Sequence, residues 1–446
     1  MRNQRRGWAL VASLAVAVAA FAVAASTATS APRHTTVANT AAIDWNNIAI
    51  STVRGESPAL VQLEGLIYMS YVQASVYDAV VKIEGRYKPY HNFHAPVSTD
   101  GASPDAAVAA AAYTALAHYF PDKAASLTAT YQSYLAGLPV AGQAAGVLIG
   151  QAAANDIIAL RANDGRNAVI TTPYGQGPNP PTEQTAGVWI FAPPPSLQSA
   201  QIPWAAFMQP FMLKSPSQFR VGPPLDITSH KYMVQLEELR AFGAVNSPVR
   251  TPEETAIAQF WNANVTSQTQ QFLRDLSTAH AFDLVDTARA LAMGNLVDSD
   301  AGIACWDSKY HYTFWRPVTA IQHADIDGNP GTTADPSWTP LLTTPNHPEY
   351  PAAHGCITGS DAEVAANLLG TTDINVDFWG ATGGATTLTV TRHYATVQDL
   401  RDQIVDARVW AGLHFRYSGR QGVKLGTAVA DWTMKHNFRP IGSSDD

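Results

Sequence analysis

The residues most able to do chemistry lie in three segments of the last third of the chain. Cations and histidines stand there among aromatic and apolar residues, and we call them the cationic cluster: Lys309, Arg316, His354, Arg408 and His414. Burial of such charges costs free energy unless an opposite charge compensates it. A tetrahedral oxyanion held between them would compensate it, and so would internal salt bridges. The nearby carboxylates are Asp307, Glu349 and Asp406.

The first segment, residues 306–317, carries a lysine and an arginine seven positions apart among aromatic residues. On a continuous helix seven residues make about two turns, so Lys309 and Arg316 would share one face and converge on one anion. Pro317 disfavours helix at the preceding residue and predicts that the element ends there. A solvated surface pair is the alternative interpretation, which the surrounding aromatic residues disfavour.

The second segment, residues 347–355, is a proline-bound loop that leads into a predicted helix beginning near Ala352. Backbone N–H groups at the start of a helix point outward and bind anions. His354 falls in the first turn, where an imidazole can donate a proton to a bound group or accept one from it. A purely structural histidine is the alternative.

The third segment, residues 406–418, contains Arg408 and His414. On a continuous helix these two residues lie about 120° apart, which is poor geometry for one shared ligand. Gly412 lies between them, and its conformational freedom predicts that the helix loosens or ends there, so that His414 can turn toward Arg408.

Helices must position these segments, because apolar residues recur at helical spacing along most of the chain. The predicted helices are residues 59–83, 105–120, 124–138, 141–163, 232–242, 253–261, 279–310, 353–369, 397–412 and 420–437. Residues 35–47 are interpreted as a polar lead-in, residues 171–203 and 325–351 as proline-rich loops, and residues 388–391 as a short strand. The predicted fold is all-α, a helical bundle within one body, residues 40–440, whose C-terminal half, residues 226–440, carries the site.

The composition excludes some classes of function. The chain has 446 residues, 46% of them hydrophobic and 14% charged, and a net charge of −8. That balance is typical of a globular protein, and an acidic chain lacks the electrostatic footprint of a nucleic-acid-binding protein.

The N-terminus resembles a targeting segment. Arg2, Arg5 and Arg6 precede an apolar stretch, residues 8–25, and small residues that offer a cleavage site. We interpret residues 1–31 as a signal peptide, similar to a twin-arginine leader, with an uncleaved membrane anchor as the alternative. A cleaved leader predicts a secreted or cell-envelope protein without membrane contact. In that compartment Cys305 and Cys356 could form a disulfide or remain two buried thiols.

The order and spacing of the three segments resemble the vanadium-dependent haloperoxidases, whose superfamily includes bacterial acid phosphatases and type 2 phosphatidic acid phosphatases. That family has a lysine and an Arg-Pro seven residues apart, then Pro-Ser-Gly-His, then an arginine with a histidine six residues later. The matching residues here are Lys309, Arg316-Pro317, Pro351-Ala352-Ala353-His354, Arg408 and His414.

The resemblance implies a role for each residue. Lys309, Arg316, Arg408 and the backbone N–H of Ala353 would hold the oxygens of vanadate, with phosphate as the alternative ligand. His414 would be the vanadium ligand, or the nucleophile of a phosphatase, and His354 the acid–base group. The implied substrates are hydrogen peroxide, a halide and an organic acceptor.

The sequence departs from the family pattern at three positions. Ala352 replaces the family serine and removes a hydroxyl donor, which could cost about 1–3 kcal/mol of anion affinity. Ala353 replaces the glycine, and Ser418 stands where many relatives have an acidic residue. Two further functions therefore stay open: a phosphomonoesterase acting through a phosphohistidine, and a degenerate site that only binds phosphate.

Two residues beside the cluster bear on the halide, and they conflict. His347 is typical of bromoperoxidases in the resembling family, whereas Trp306 is typical of chloroperoxidases. The interpretation favours bromide or iodide over chloride.

Overall fold

A computed structural model describes residues 38–175, 185–191 and 199–442. Within these ranges the chain forms thirteen α-helices and one two-stranded sheet. The helices are α1 Thr40–Arg54, α2 Gln62–Glu84, α3 Pro104–Tyr119, α4 Ala124–Ala136, α5 Gln143–Leu160, α6 His230–Gly243, α7 Pro252–Phe260, α8 Val265–Ala279, α9 Leu284–Tyr312, α10 Pro317–Gln322, α11 Ala353–Leu369, α12 Val397–Trp410 and α13 Arg416–His436. The strands are β1 Val376–Gly380 and β2 Val390–Tyr394. The predicted all-α class is confirmed.

The longest helix, α9, links two groups of helices and carries Lys309 near its end. On one side it packs against α2, which in turn packs on α3 and α5; on the other it packs against α11 and α13. Most of its residues are buried, as expected of a helix enclosed on all sides. Asp283 caps its start by accepting a hydrogen bond from the N–H of Asp286.

Helices α11 and α13 approach each other more closely than side chains would permit. A Cβ added to Gly426 would lie 1.9 Å from the carbonyl oxygen of Cys356, and one added to Gly422 would lie 2.4 Å from that of Ala352. Only glycine fits at such distances. The backbone of α13 therefore fixes the first turn of α11, where His354 lies.

The structure corrects several boundaries predicted from the sequence. The predicted polar lead-in, residues 35–47, is wrong in its described part, because α1 begins at Thr40 and buries Trp45. The helix predicted to begin at residue 279 begins instead at Leu284, after a break that separates it from the unpredicted α8. The predicted strand pairs antiparallel with β1, with Val376 opposite Tyr394.

The described residues group into one compact unit. No helix in the described part of the chain is long and apolar enough to cross a bilayer. The predicted leader, residues 1–31, lies outside the described residues.

Candidate active site

The cationic cluster is assembled from the ends of helices. Lys309 lies in the last turn of α9, His354 in the first turn of α11, and Arg408 in the last turn of α12. Arg316 is the residue before α10, and His414 lies in the link between α12 and α13. Helix ends expose unpaired backbone groups, so a polar site forms there without breaking a helix interior.

The predicted two-turn helix joining Lys309 to Arg316 is wrong. Helix α9 ends at Tyr312, and Thr313 adopts a left-handed conformation with φ of 45°. The chain then turns, and Arg316 has extended backbone angles. A reversal of the chain, not a shared helix face, places the two cations together.

The ammonium group of Lys309 is fully engaged by backbone carbonyls. Its Nζ lies 3.0 Å from the oxygen of Pro348, 2.9 Å from that of Glu349 and 2.5 Å from that of Pro351. A lysine ammonium has three N–H donors, and each has an acceptor here. Lys309 thus fixes the loop before α11, and direct donation to an anion would require one of these bonds to be exchanged.

The Arg316 guanidinium joins the second and third segments. Its Nε donates to the His347 carbonyl at 2.9 Å, and its Nη1 donates to the Leu413 carbonyl at 3.2 Å. The same Nη1 lies 3.2 Å from Nε2 of His414, and Nη2 lies 3.0 Å from Nδ1 of His347. Arg316 is fully buried. Its contacts therefore tie both loops to a guanidinium group that is shielded from solvent.

Two buried nitrogens of the cluster have no hydrogen-bond partner. They are Nε of Arg408 and Nε2 of His354. Arg408 donates once, from Nη1 to the carbonyl oxygen of Trp261 at 3.2 Å. Unsatisfied buried polar atoms are rare in folded proteins and call for a partner. Here an oxyanion would supply acceptors for both.

His414 is oriented by Glu349, a residue to which the sequence interpretation gave no role in the site. Nδ1 of His414 lies 2.9 Å from Oε1 of Glu349, and both side chains are buried. Gly412, with φ of 76°, follows α12 and takes the chain out of the helical path, where the sequence predicted that the helix loosens or ends, and the His414 ring contacts Glu349 and Arg316. A carboxylate one residue after a proline in a buried loop was the available signal for Glu349.

The other nearby carboxylates pair elsewhere. Asp307 binds Arg220, with 2.6 Å between Oδ2 and Nε, and Asp406 binds Arg416. Within the described residues, no carboxylate oxygen lies within 4.0 Å of the charged nitrogens of Lys309, Arg316 or Arg408. Internal salt bridges therefore do not neutralise these three cations.

Burial dominates the electrostatics of the cluster. It lowers the pKa of Lys309 to about 8, that of Arg316 to about 10 and that of Arg408 to about 9. The pKa values of His354 and His414 lie well below the usual range, because burial and the neighbouring cations both disfavour imidazolium. An anion in the cluster would offset these costs by attraction.

Burial raises the pKa of Glu349, whereas it lowers the pKa values of the cations around it. Its pKa rises to about 7, because desolvation outweighs the hydrogen bond from Ser418 and the positive charges of Lys309 and Arg316. The carboxylate is the one negative group in contact with the cluster among the residues described here.

The remaining predicted residues flank the cluster. The rings of Trp306 and His347 are 4.9 Å apart and tilted, and both residues are buried. Ala353 and His354 are the partly exposed members, so the cluster meets solvent on their side. Cys305 and Cys356 are both free buried thiols, and Cys305 donates to the Pro351 carbonyl at 3.8 Å. The disulfide considered from the sequence is not formed in this structure.

The donors suit an oxyanion better than a bare cation. Cations, one unpaired histidine nitrogen and the first turn of α11 supply N–H donors and positive charge. Across the described ranges, no group of three or more His, Cys, Asp or Glu residues is arranged to hold a metal ion. An oxyanion needs no such group, since its charge is negative and N–H donors hold its oxygens.

Known proteins resemble this chain in sequence over its C-terminal part and in fold over most of its length. Residues 289–443 match the family model described as the VCPO second helical-bundle domain. A segment of 143 residues is 29% identical to the vanadium chloroperoxidase of Curvularia inaequalis, and covers 26% of this chain and 23% of that protein. Over this part of its length the chain is similar to the vanadium-dependent haloperoxidases.

The likeness of fold extends over most of the chain. A bacterial vanadium-dependent iodoperoxidase superimposes with a TM-score of 0.72 at 20% identity, covering 90% of this chain and 98% of that one. A bacterial vanadium-dependent chloroperoxidase in its holo form gives a TM-score of 0.64 at 18% identity, covering 83% and 90%. The vanadium haloperoxidase fold therefore includes the N-terminal helices as well as the segment matched by sequence.

Proposed function

We propose that this protein is a vanadate-dependent haloperoxidase, which uses hydrogen peroxide to oxidise a halide to a hypohalous acid, with water as the other product. One observation carries the proposal: among the described residues no carboxylate pairs with Lys309, Arg316 or Arg408, and Arg408 Nε and His354 Nε2 are buried without partners. A bound oxyanion such as vanadate would supply both the negative charge and the hydrogen-bond acceptors.

The cations would bind and orient the oxyanion. Arg316 and Arg408 are the guanidinium groups of the cluster, and the backbone N–H of Ala353 lies at the start of α11. Lys309 would contribute its charge and, on exchange of a carbonyl contact, a donor. Charge-assisted hydrogen bonds of this kind are about twice as strong as neutral ones.

The histidines would take different roles. His414 Nε2 is the nitrogen not bound to Glu349, and a bond with vanadium would replace its 3.2 Å contact with Nη1 of Arg316. His354 has its unpartnered Nε2 beside the same cations and would move a proton to or from the bound oxygens. Vanadate, when bound, supplies a Lewis-acidic centre that activates peroxide toward halide.

We propose bromide or iodide in preference to chloride. The imidazole of His347 contacts both Arg316 and the Trp306 ring, so it would contact a halide bound on that side of the cluster. A structural match that covers 90% of this chain, described as an iodoperoxidase, supports the same preference. The N-terminal sequence supports export, so we propose a secreted or cell-envelope location.

A phosphomonoesterase is the second candidate. His414 Nε2 would then attack phosphorus, and His354 would protonate the leaving group, since one cluster can stabilise either trigonal bipyramidal centre. The contact between His414 and Glu349 would orient Nε2 of His414 for attack on phosphorus as well as for bonding to vanadium. A site that only binds phosphate is the third, supported by the missing hydroxyl at Ala352.

One experiment separates the three functions. The mature protein is dialysed with and without orthovanadate and assayed for bromination with peroxide and for hydrolysis of an aryl phosphate. Vanadate-dependent bromination supports the peroxidase, vanadate-inhibited hydrolysis the phosphatase, and neither activity the binding protein. His414→Ala should abolish whichever activity is found, while His436→Ala, at an exposed position on α13, should preserve it.

A further inference from the structure

We propose that Glu349 is a positioning residue that holds the proton of His414 on Nδ1 and thereby leaves the lone pair of Nε2, which now faces Nη1 of Arg316 at 3.2 Å, to bond with an oxyanion. The inference rests on the proposed function insofar as it takes Nε2 as the bonding atom. It concerns a carboxylate that comes from the loop before α11, whereas His414 comes from the link after α12.

Among the described residues the carboxylate accepts two hydrogen bonds, and it faces the imidazole of His414 in a third contact. Oε1 accepts from the backbone N–H of Phe415 at 3.0 Å and faces Nδ1 of His414 at 2.9 Å. Oε2 accepts from the hydroxyl of Ser418 at 2.7 Å. Because an acceptor faces Nδ1, the proton of a neutral imidazole is placed there and the lone pair on Nε2.

The carboxylate is held rigidly. The backbone N–H of Glu349 donates to the Phe314 carbonyl at 2.9 Å, and its own carbonyl accepts from Lys309 at 2.9 Å. Both of its neighbours in the cluster, Lys309 and Arg316, are fully buried. The imidazole plane is therefore fixed by a group that cannot move away without breaking the loop.

The small side chain of Ser418 explains how the carboxylate of Glu349 can reach His414. Its short side chain lies in the first turn of α13 and leaves space for Glu349 to reach His414. The Ser418 hydroxyl then donates a hydrogen bond to Oε2, the second oxygen of that carboxylate. A carboxylate attached at position 418 instead would lie in the same pocket, provided that Glu349 were shortened.

Glu349 also caps α13 through Phe415, so a structural role must be distinguished from a positioning role. The two roles predict different effects on two oxyanions. Vanadate expands its coordination to accept a histidine nitrogen, whereas phosphate binds through its charge and hydrogen bonds alone. Damage to the pocket weakens both, but loss of histidine orientation weakens vanadate selectively.

The test measures orthovanadate and phosphate binding by calorimetry for the full mature chain. We expect Glu349→Ala to weaken vanadate binding about 10–100-fold, as the loss of a carboxylate partner of a ligating histidine does elsewhere. Phosphate affinity should fall by much less. Glu238→Ala is the matched control, since Glu238 also binds near the start of α13, through Arg416 at 2.8 Å, without touching His414.

A second variant tests whether the carboxylate itself is needed. In Glu349→Ala/Ser418→Asp the carboxylate is returned from the other side of the pocket, where an acidic group also suits the helix N-terminus. We expect it to recover most of the vanadate affinity. A parallel fall of vanadate and phosphate affinity in Glu349→Ala, without recovery in the double variant, would overturn the proposal.

Nitrogen NMR of the anion-free protein provides a readout independent of vanadate. Wild type should show the proton of His414 on Nδ1, and Glu349→Ala should show a mixture of tautomers. A wild-type proton on Nε2 overturns the proposal even if no variant folds. If wild type binds no vanadate, the proposed function fails, while the NMR result still decides the role of Glu349.

Discussion

At the scale of single residues, Ala352 stands where the resembling family has a serine, and the effect of restoring that serine can be measured directly. It is buried at the N-cap of α11, where no side chain caps the helix. We expect Ala352→Ser to stabilise the fold by about 1 kcal/mol as a cap. Its hydroxyl hydrogen can also reach an anion in the cluster, which should raise phosphate and vanadate affinity by about tenfold. Urea unfolding and calorimetry measure the two effects separately.

A serine introduced at the N-cap of another helix provides the control for Ala352→Ser. Val61 is the N-cap of α2 and also lacks a side-chain cap, far along the chain from the cluster. Val61→Ser should leave anion affinity unchanged. Equal affinities of wild type and Ala352→Ser would show that position 352 does not face the anion.

At Arg408 we expect a substitution to increase the stability of the protein and to weaken its anion binding. Its guanidinium is buried, has one hydrogen bond and no carboxylate partner. Arg408→Met should raise the free energy of unfolding of the anion-free protein by about 1–2 kcal/mol, because a buried uncompensated charge is removed. It should also weaken phosphate binding about 10–100-fold through the loss of charge-assisted hydrogen bonds.

Thermal denaturation with and without phosphate tests both effects of Arg408→Met. The wild type should be stabilised by phosphate and the variant much less, as linkage requires. Lys424→Met, which removes an exposed cation on α13, is the control and should retain the phosphate effect. A variant that is less stable without phosphate and equally stabilised by it would contradict the interpretation of Arg408 as an anion ligand.

The sequence predicted the members of the cluster better than their contacts. Lysine, arginine and histidine among aromatic residues are rare enough to be recognised one by one. The shared helix face of Lys309 and Arg316 was wrong because Thr313 adopts a left-handed conformation, which its residue type does not signal. Glu349 was assigned no role because its contact with His414 spans 65 positions.

At the scale of elements, the packing of α11 on α13 sets the position of His354. We expect Gly426→Ala to destabilise the protein by about 1–3 kcal/mol, because the new methyl group would overlap the Cys356 carbonyl. Separation of the helices would also displace the first turn of α11 and weaken phosphate binding. Urea unfolding and calorimetry measure these losses.

Gly222→Ala is the matched control for Gly426→Ala, since no atom would lie within 4 Å of the added Cβ. It should change neither stability nor phosphate affinity. Full phosphate affinity in a destabilised Gly426→Ala would mean that the first turn of α11 is positioned by its preceding loop instead.

Elements were predicted well where burial follows helical spacing and poorly where it does not. The predicted helix 353–369 is confirmed at both ends, since a proline-bound loop precedes it and Gly370 ends it in a left-handed conformation. Helix α8 was missed because its buried face is largely polar, with Gln268, Thr269 and Gln270 enclosed. Their burial depends on partners from other elements, which spacing alone does not reveal.

At the scale of the whole molecule, buried polar groups join the helices around α9. Asp298 of α9 accepts from Thr269 of α8 at 2.9 Å and from Ser360 of α11 at 2.6 Å. Asp361, also on α11, lies beside it and is equally buried. Two adjacent carboxylates away from water cannot both ionise cheaply, so their protons are part of what holds these three helices together.

This pair predicts how stability depends on pH. Burial raises the pKa of Asp298 to about 7, and burial together with Asp298 raises that of Asp361 well above its usual range. From about pH 4 to 7 the folded state keeps protons that the unfolded carboxylates have released, so stability falls as pH rises. Each retained proton contributes a slope of about 1.4 kcal/mol per pH unit.

Asp361→Asn removes one of these protons and keeps an amide that can donate to Asp298. The free energy of unfolding, measured in urea at pH 5, 6 and 7, should therefore fall less steeply than in wild type, by about 1.4 kcal/mol per pH unit. Asp402→Asn, at an exposed position on α12, should follow the wild-type slope. Equal slopes for wild type and Asp361→Asn would mean that Asp361 is ionised in the folded protein, and that the three helices tolerate its charge.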